Sequence, residues 1–425
     1  MNARIDKLQR QSAQNDGVVC LAGGLPSALQ FPRRLLASAF VRATADLRGA
    51  ALQYGWPEGI DPLREWIAGS LNARGLRLSP DEVIVTSGAQ QAIAIAVRLS
   101  LARGQRIGVD PESYPAALDL FRTRGVHAAA HGRVHAHYVM PQVTNPRGAE
   151  MAHARRTELL ASGLPIIEDD AYAELRFDGP PAPPLAVEGR AQVWHVGTFS
   201  KTLCPGLRLG WLVPPPRQLQ RALRYKHDLD LQSNGLAQAI VSEFLRHDDF
   251  DARLVRLRRF YRHRCARLMA AVRRHLPSWR FDEPVGGFSL WLETGEALDD
   301  TDFLAEAMRH GVSFDPGRMF RPNQAGRPLA LRLCYSLETA DRLDQGVARL
   351  ARAWDAFARR AARLPDHAAR GPRVVRRRVS PRVRALRARS RRGGAAVDPL
   401  GPTVGVQAAR RGRRARVQRG SRRLR

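Results

Sequence analysis

Short apolar runs of strand length alternate with helical segments along most of the chain, and this alternation constrains the fold more than any other feature. The run DEVIVTSG precedes the helical AQQAIAIAVRLSLARG, and HAHYVMPQ, PIIEDD, AQVWHVGT and LRLGWLV are further strand-length runs. Most of them are bounded by Gly, Pro or Asp, as strands commonly are. The pattern predicts an α/β domain built around a largely parallel sheet.

The pattern of strand-like and helical runs changes after about residue 275. WRFDEPVGGFSLWLE, GVSFDPGRMF and LALRLCYS contain strand-like runs, and DDTDFLAEAMRH has a helical pattern. These elements predict a smaller α+β domain. We therefore predict an N-terminal part of the small domain (1–48), a large domain (49–274), the C-terminal part of the small domain (275–364) and a tail (365–425).

The net charge of +29 is typical of a nucleic-acid binder, but much of it lies in the tail. Residues 365–425 contain 20 arginines, no lysine, two aspartates and no aromatic residue. This composition, without helical or strand periodicity, predicts a disordered appendage. Two interpretations of it stay open: nonspecific contact with nucleic acid through phosphate neutralisation, or a solvated extension without function.

Membrane and metal-binding classes find no support in the sequence. No apolar run approaches the roughly 20 residues that a membrane span requires, and MNARIDKLQRQSAQND contains no apolar segment typical of a signal peptide. The four cysteines (Cys20, Cys204, Cys265, Cys334) form no CxxC pair, which is typical of reduced thiols. We expect a cytoplasmic protein with no bound metal and no membrane partner.

Lysine is scarce in this chain. Only three of its 69 basic residues are lysines, namely Lys7, Lys201 and Lys226, so a retained lysine is favoured where amine chemistry is needed. Lys201 lies within GTFSKTLCPGLRLGW, between hydroxyl side chains and a later arginine. A lysine that bonds a cofactor covalently is often held near groups that bind the cofactor phosphate. Thr198, Ser200 and Arg208 are candidates for those groups.

The segment SKTLCPGLRLGW resembles the SKxLxPGxRxGW signature of class I/II aminotransferases, which are pyridoxal 5′-phosphate (PLP) enzymes of fold type I. It is most similar to the 2-aminoadipate and multisubstrate branch, which is related to the aminotransferase domain of MocR-type regulators. The resemblance covers roughly residues 20–355. It implies a large PLP-binding domain with a mostly parallel seven-stranded sheet between helices, and a smaller α+β domain built from the two chain ends.

The resemblance also assigns the residues of the signature. It implies that Lys201 forms the Schiff base with PLP and later carries the substrate α-proton, and that Thr198, Ser200 and Arg208 hold the phosphate. In IIEDDAY, Asp169 and Tyr172 match the family's D-x-x-Y spacing. They would bond the pyridine nitrogen and the phenolate oxygen of PLP. On its own, IIEDD is equally typical of acids that end a strand in solvent.

TSGAQQA places small residues and an amide where a strand turns into a helix, a position that favours anions. The resemblance makes this segment the phosphate cup, formed by Ser87, Gly88, Ala89 and Gln90. Any strand-to-helix turn has the same local pattern, so the motif is weak by itself.

Five further residues are assigned through the resemblance. Tyr114, in DPESYPAAL, would stack on the pyridine ring, and Asn145, in TNPRG, would bond the ring oxygen and lie beside the substrate. Gly24, in GGLPSALQFP, would lie near the substrate carboxylate, which Arg332, in LRLCYS, would bind at two points. Tyr54, in YGWPEGIDPLR, would reach the phosphate of a neighbouring subunit, so the resemblance implies a homodimer.

These assignments predict transamination between an α-amino acid and a 2-oxo acid, with 2-oxoglutarate as the expected acceptor. The interval between Tyr114 and Asn145 is shorter than is usual in the family, and the length of HAAAHGRVHAHYVMP predicts that one strand and one helix are missing there. Two alternatives stay open. The motifs do not distinguish transamination from another PLP reaction on amino acids, such as that of a lyase or decarboxylase. The second alternative is a regulator or a degenerate, non-catalytic protein, and the shortened segment keeps degeneracy open.

Overall fold

The computed structural model describes residues 3–13, 15, 17–45, 49–323 and 327–363. The predicted arginine-rich tail, residues 365–425, lies outside the described residues. The described strands are β1 (Val19–Cys20), β2 (Ile84–Thr86), β3 (Arg106–Gly108), β4 (His127–Ala129), β5 (Ala136–Val139), β6 (Ile166–Asp169), β7 (Val193–Thr198), β8 (Gly210–Val213), β9 (Ser289–Glu293), β10 (Val312–Ser313), β11 (Asp315–Pro316) and β12 (Ala330–Cys334).

Helices follow or precede most of these strands, as the alternation predicts. The described helices are α1 (Ala3–Ala13), α2 (Arg33–Thr44), α3 (Asp61–Ala73), α4 (Ala89–Ser100), α5 (Pro115–Thr123), α6 (His153–Ala161), α7 (Leu219–Asp230), α8 (Gly235–His247), α9 (Phe250–His275), α10 (Asp300–Arg309) and α11 (Ala340–Arg363).

The large sheet has seven strands in the order β2-β8-β7-β6-β5-β3-β4. The pairs from β7 to β4 are parallel, and β8 runs antiparallel to both β7 and β2. This arrangement confirms the prediction of a mostly parallel, seven-stranded α/β fold. Both faces of the sheet are buried, as expected for parallel strands covered by helices.

Neighbouring residues of the central strands enter two different hydrophobic clusters. On β6, Ile167 packs in one cluster and Ile166 in the other; on β7, Trp194 and Val196 belong to the first cluster and Val193 to the second. Side chains of a strand point alternately to its two faces. The sheet is therefore held between two apolar layers, and its strand ends are fixed precisely enough to carry a site.

The connection between β4 and β5 corrects the prediction of a missing strand. The edge strand β4 is present and pairs in parallel with β3, so no strand of the large sheet is lost. The helix alone is missing, because residues 130–135, all of them described, form bends and coil between β4 and β5. Strands of three and four residues are short enough for so brief a crossover. The shortened segment leaves the sheet complete.

The smaller sheets join the two ends of the chain. Strands β11, β12 and β9 form an antiparallel sheet, and β1 near the N-terminus pairs in parallel with β10. The N-terminal segment thereby packs with the C-terminal part of the fold at β10, as the fold prediction requires. In the described part of the chain no helix is both long and apolar enough to cross a membrane.

Candidate active site

The parallel neighbours β6 and β7 end at a cavity of about 120 Å³. Open α/β sheets commonly bind ligands at the carboxyl ends of their strands. The cavity is lined by Ala89, Gln90, Tyr114, Met140, Asn145, Asp169, Ala171, Tyr172, Thr198, Ser200, Lys201, Pro205 and Arg208. All of these except Met140, Ala171 and Pro205 are residues that the sequence predicts for the site. Residues from five separate segments of the sequence thus meet in one cavity.

Lys201 lies in the turn that directly follows β7. Its Nζ donates to the Gly24 carbonyl oxygen at 3.5 Å and lies 5.3 Å from the centroid of the Tyr172 ring. Burial is the main cause that lowers the pKa of Lys201, while Tyr114 raises it and Arg332 lowers it further. A lowered pKa increases the fraction of neutral amine, which is the nucleophilic form.

Asp169 ends β6 with its carboxylate buried against the cavity. Its Oδ2 accepts from the Tyr138 hydroxyl at 2.7 Å, and its Oδ1 accepts from the Ala171 N–H at 3.2 Å. Burial raises the pKa of Asp169 to about 6, although both of these hydrogen bonds lower it. No arginine, lysine or histidine of the described residues forms a salt bridge with it, so the carboxylate is suited to pair with a cation that enters the cavity.

The raised pKa of Asp169 predicts a loss of stability with pH in the ligand-free protein. In the folded protein the pKa of Asp169 is about 6, above the ordinary value of 3.8. The stability that the protonated carboxyl contributes to the fold is therefore full below pH 4 and is lost as pH rises to about 6. Across this window, Asp169→Asn should gain about 1–3 kcal/mol in free energy of unfolding relative to the ligand-free wild type. Urea unfolding of both proteins between about pH 4 and 8 measures the difference; a difference independent of pH would contradict the assignment.

Two tyrosines supply flat rings and neutral hydroxyls to the cavity. Tyr114 immediately precedes α5, and Tyr172 packs edge-to-face on Phe288 with ring centroids 5.4 Å apart. Burial raises the pKa of both tyrosines. Each hydroxyl therefore stays protonated near neutral pH and can donate a hydrogen bond to a ligand.

The start of α4 forms one end of the cavity. Gly88 is the residue before the helix, adopts a φ of +84°, and provides no side chain to cap the helix N–H groups. Ala89 and Gln90 of the first turn line the cavity. Uncapped N–H groups and the helix dipole favour an anion such as phosphate at this end.

Arg208 adds a cation to the same end. Its Nη2 donates to the Ser87 carbonyl oxygen at 3.4 Å, and a Cβ at Gly88 would lie 2.8 Å from Nη2, so a larger residue there would displace the guanidinium. Arg208 itself has a left-handed φ of 53°, a conformation that is found at ligand-binding sites. The hydroxyls of Thr198 and Ser200 lie 3.0 Å apart beside it. A guanidinium, two hydroxyls and the start of α4 thus lie at one end of the cavity.

Arg332 contacts the lining residue Asn145 and is held from two directions. Its Nη1 donates to Asn145 Oδ1 at 2.8 Å, and its Nε and Nη2 donate to Asp315 Oδ2 at 3.0 and 2.7 Å. A guanidinium has five N–H groups, and these contacts use three of them. One N–H on each terminal nitrogen therefore has no acceptor among the contacts described above. A Cβ at Gly24 would lie 3.3 Å from Nη2. Glycine there keeps the outer edge of the guanidinium accessible to a carboxylate.

Some of the predicted site residues contact residues that line the cavity but do not line it themselves. Gly24, Gly88 and Arg332 touch lining residues, as described above. The Ser87 hydroxyl donates to Asp230 Oδ2 at 3.3 Å instead of facing the cavity. Tyr54 does not line the cavity of its own chain and is 81% exposed.

Two residues of the site were missed by sequence reasoning. Tyr138 lies on β5, next to β6, and its hydroxyl orients Asp169. Asp315 on β11 is the direct antiparallel partner of Arg332 and also accepts from the Gly23 N–H. The available signals were a hydroxyl and a carboxylate within otherwise apolar strands. Neither signal identifies a partner unless the strand register is known.

The family model of aminotransferases of class I and II matches residues 28–137 and 138–350. The chain belongs to this family. The 2-aminoadipate transaminase of Thermus thermophilus is 33% identical over 80% of this chain and 91% of its own length. The crystal structure of LysN, the α-aminoadipate aminotransferase of that organism, complexed with N-(5′-phosphopyridoxyl)-L-leucine, superposes with a TM-score of 0.77 at 30% identity, covering 84% of this chain and 96% of that one.

The family also includes relatives that are regulators. The probable rhizopine catabolism regulatory protein MocR of Rhizobium meliloti is 30% identical over 69% of this aminotransferase chain and 64% of its own length. The aminotransferase relatives, in contrast, are matched over nearly their whole length. The present protein uses PLP as its cofactor, and the reaction that it catalyses is the transamination of amino acids.

The chemistry of the residues present fits PLP. A buried carboxylate, a lysine amine of lowered pKa, two tyrosine rings and an anion site surround one cavity. These are complementary to a pyridine nitrogen, an aldehyde, an aromatic ring and a phosphate, respectively. The residues that the structure describes include no group of three His, Cys, Asp or Glu side chains suited to a metal ion.

Proposed function

We propose that the enzyme transfers the amino group of an α-amino acid to 2-oxoglutarate, in a homodimer, with Lys201 as the residue bonded to PLP. The proposal rests on one observation: Lys201 and Asp169 line the same cavity. The lysine amine is largely buried with a lowered pKa, and the carboxylate is buried without a cationic partner among the described residues. When bound, PLP acts as an electron sink for the substrate α-carbon.

The proton steps belong to Lys201 and Asp169. Lys201 would hold the cofactor aldehyde, and its neutral Nζ, when free, could accept the substrate α-proton and return it. Asp169, held by Tyr138 and Ala171, would pair with the ring nitrogen and favour its protonated form. Tyr172 and Asn145 would hold the ring oxygen, and Tyr114 would support the ring.

The remaining groups bind and orient. The α4 N-terminus (Ser87, Gly88, Ala89, Gln90) and the cluster of Thr198, Ser200 and Arg208 hold the phosphate. Arg332 binds the substrate carboxylate through its outer edge, beside Gly24 and Asn145. With phosphate and carboxylate fixed at opposite ends, the α-carbon is held next to Lys201.

Exposed aromatic and aliphatic side chains of the N-terminal segments support the homodimer. Tyr54 and Trp56 are 81% and 76% exposed, and apolar side chains of α2 and of the turn packed against it are also exposed, namely Leu35, Phe40, Val41 and Leu52. Exposed apolar surface of this kind marks protein interfaces. We propose that a second copy covers it and that Tyr54 of the partner subunit completes the phosphate site.

Subunit mixing tests the shared site. In a heterodimer of Lys201→Ala and Tyr54→Ala chains, one site has both Lys201 and Tyr54 intact if Tyr54 acts across the interface. The mixed dimer should then regain about half of the wild-type rate, because one of two symmetric sites is restored. If Tyr54 serves its own chain, both sites of the mixed dimer stay defective. Differently tagged chains purified as heterodimers, with each homodimer as control, give the measurement.

The reaction itself is tested by product analysis. The purified holoenzyme is incubated with 2-oxoglutarate and each amino acid in turn. The proposal expects glutamate and the matching 2-oxo acid in equal amounts. Release of carbon dioxide or ammonia without glutamate would instead identify a decarboxylase or lyase, and no product from any amino acid would identify a degenerate protein.

Truncation after residue 364 tests the tail. Residues 365–425 carry no family motif and follow α11, so the shortened chain should fold, dimerise and turn over as the full chain does. Retention on heparin should be lost with the tail and should fall steeply with salt, because it would depend on phosphate-like contacts alone. A truncated chain that loses activity would show that the tail belongs to the enzyme.

We further infer a cytoplasmic location, since all four cysteines are unpaired, as in a reducing compartment. The division into a large domain (49–274) and a small domain from 1–48 and 275–364 stays a prediction.

A further inference from the structure

A second and larger cavity lies beside the active site. It is a cleft of about 870 Å³ between α3, the start of α9 and the loop after β6. Its volume lies in the range of small-molecule sites, about 300–1,000 Å³. Ala171 and Thr198 line both this cleft and the active-site cavity, so the two are separated only by the ends of β6 and β7. Apart from these two residues, no residue used in the proposed transamination lines the cleft.

Aromatic rings form one wall of the cleft. Trp66 packs against Phe199 and Phe250, with centroid distances of 5.7 and 5.2 Å, and Phe199 packs against Trp211 at 5.2 Å. All four rings line the cleft. A cluster of this kind offers ring faces and edges to an apolar or cationic ligand.

Gly69 of α3 keeps the cleft open. A glycine inside a helix costs about 1 kcal/mol relative to alanine, so it normally has a packing reason. Here a Cβ would meet nothing within 4 Å. No neighbour requires the glycine; a larger side chain at this position would instead enter the cleft.

Buried carboxylate oxygens in the cleft lack partners. The Asp170 side chain is only 2% exposed; its Oδ2 pairs with Arg74 at 2.6 Å, but its Oδ1 accepts no hydrogen bond from the described residues. Asp248 Oδ2 is likewise buried with no donor in the described structure. Leaving such acceptors unsatisfied is costly, so a donor supplied by a ligand is favoured.

The charge of the cleft is negative. Five carboxylates line it (Asp170, Glu174, Asp248, Asp249, Asp251), against two guanidiniums (Arg74, Arg258). The guanidiniums pair with Asp170 and Glu174. Asp249 and Asp251 stabilise the N-terminus of α9, which leaves Asp248 without a structural partner of opposite charge among the described salt bridges.

We propose that this cleft binds a small organic cation with an apolar body, such as an aryl-substituted ammonium ion. The charged end lies towards Asp170 and Asp248, and the apolar body packs on the Trp66–Phe199–Phe250–Trp211 wall. The site is independent of the proposed transamination and is separate from the PLP cavity.

Calorimetric titration of the full-length holoenzyme with benzyltrimethylammonium tests the proposal. A quaternary ammonium cannot bond an aldehyde, so this probe cannot react at Lys201. We expect saturable binding with a Kd below about 1 mM, and binding of neutral benzyl alcohol at least about tenfold weaker. Binding should persist after borohydride treatment of the holoenzyme, because the cleft is distinct from the PLP cavity.

Three variants locate the binding. Gly69→Leu favours the helix and fills the cleft, so it should weaken binding at least about tenfold. Asp248→Asn keeps the shape and removes the charge, and should weaken binding about threefold or more. Glu65→Leu adds an apolar side chain to an exposed position of the same helix outside the cleft and should leave binding unchanged. Thermal melting checks that each variant is folded.

The proposal is overturned if no saturable heat is seen up to about 10 mM probe, if Gly69→Leu binds as the wild type does, or if benzyl alcohol binds as tightly as the cation. None of these outcomes bears on transamination, which is measured separately, so failure of the cleft and failure of the proposed function are distinguishable.

Discussion

Replacing Lys201 by alanine is expected to lower the transamination rate by about 10⁴-fold or more, because one side chain supplies both the covalent link to PLP and the proton carrier. No other lysine can substitute for it: Lys226 is buried and pairs with Asp230 at 3.0 Å, and Lys7 is exposed on α1. Single-turnover assays with a saturating amino acid measure the loss.

Two further variants separate charge from amine chemistry. Lys201→Arg keeps a cation in the cavity but cannot form the bond, so it should be as inactive as Lys201→Ala. Lys7→Ala removes an exposed lysine and should keep the wild-type rate. Substantial turnover by Lys201→Arg would show that position 201 contributes only charge, and the assignment would be wrong.

Asp169→Ala is expected to slow transamination by about 10²-fold or more, equivalent to about 3 kcal/mol of barrier. Without this carboxylate the pyridine nitrogen loses its proton, and the ring accepts electrons poorly. The variant should still bind PLP, because the phosphate end is untouched. Rates and PLP affinity measured on the same preparation separate the two effects.

A rate near that of the wild type would contradict the role of Asp169. Asp170 would then be the obvious substitute, but its carboxylate pairs with Arg74 and lines the cleft rather than the PLP cavity. A smaller loss in Tyr138→Phe, which removes only the hydroxyl that orients Asp169, would support the same geometry.

Local motifs made most of the site predictable. Asp169 is the last residue of a strand, Lys201 and the α4 N-terminus follow shortly after strands, and the carboxyl ends of these strands meet at one edge of the sheet. Their convergence on one cavity therefore follows from the α/β pattern. Lysine scarcity helped to select Lys201, but it did not distinguish the buried Lys226, whose amine forms an ion pair instead.

Features that depend on strand register were not predictable. Asp315 lies opposite Arg332, and Tyr138 lies beside Asp169, only because particular residues of separate strands face each other. The short strand β4, of sequence HAA, gave no recognisable pattern, and the sheet was expected to lack a strand there. The second cleft depends on the packing of α3 against α9, which no local motif encodes.

The most direct test of the central assignment is to reduce the purified holoenzyme with sodium borohydride and map its peptides. The protein should be yellow before reduction, and the colour should disappear on treatment, because the double bond between lysine and cofactor is reduced. The pyridoxyl group should then be found on Lys201. A label on Lys226 or Lys7, or no label with PLP in excess, would contradict the account.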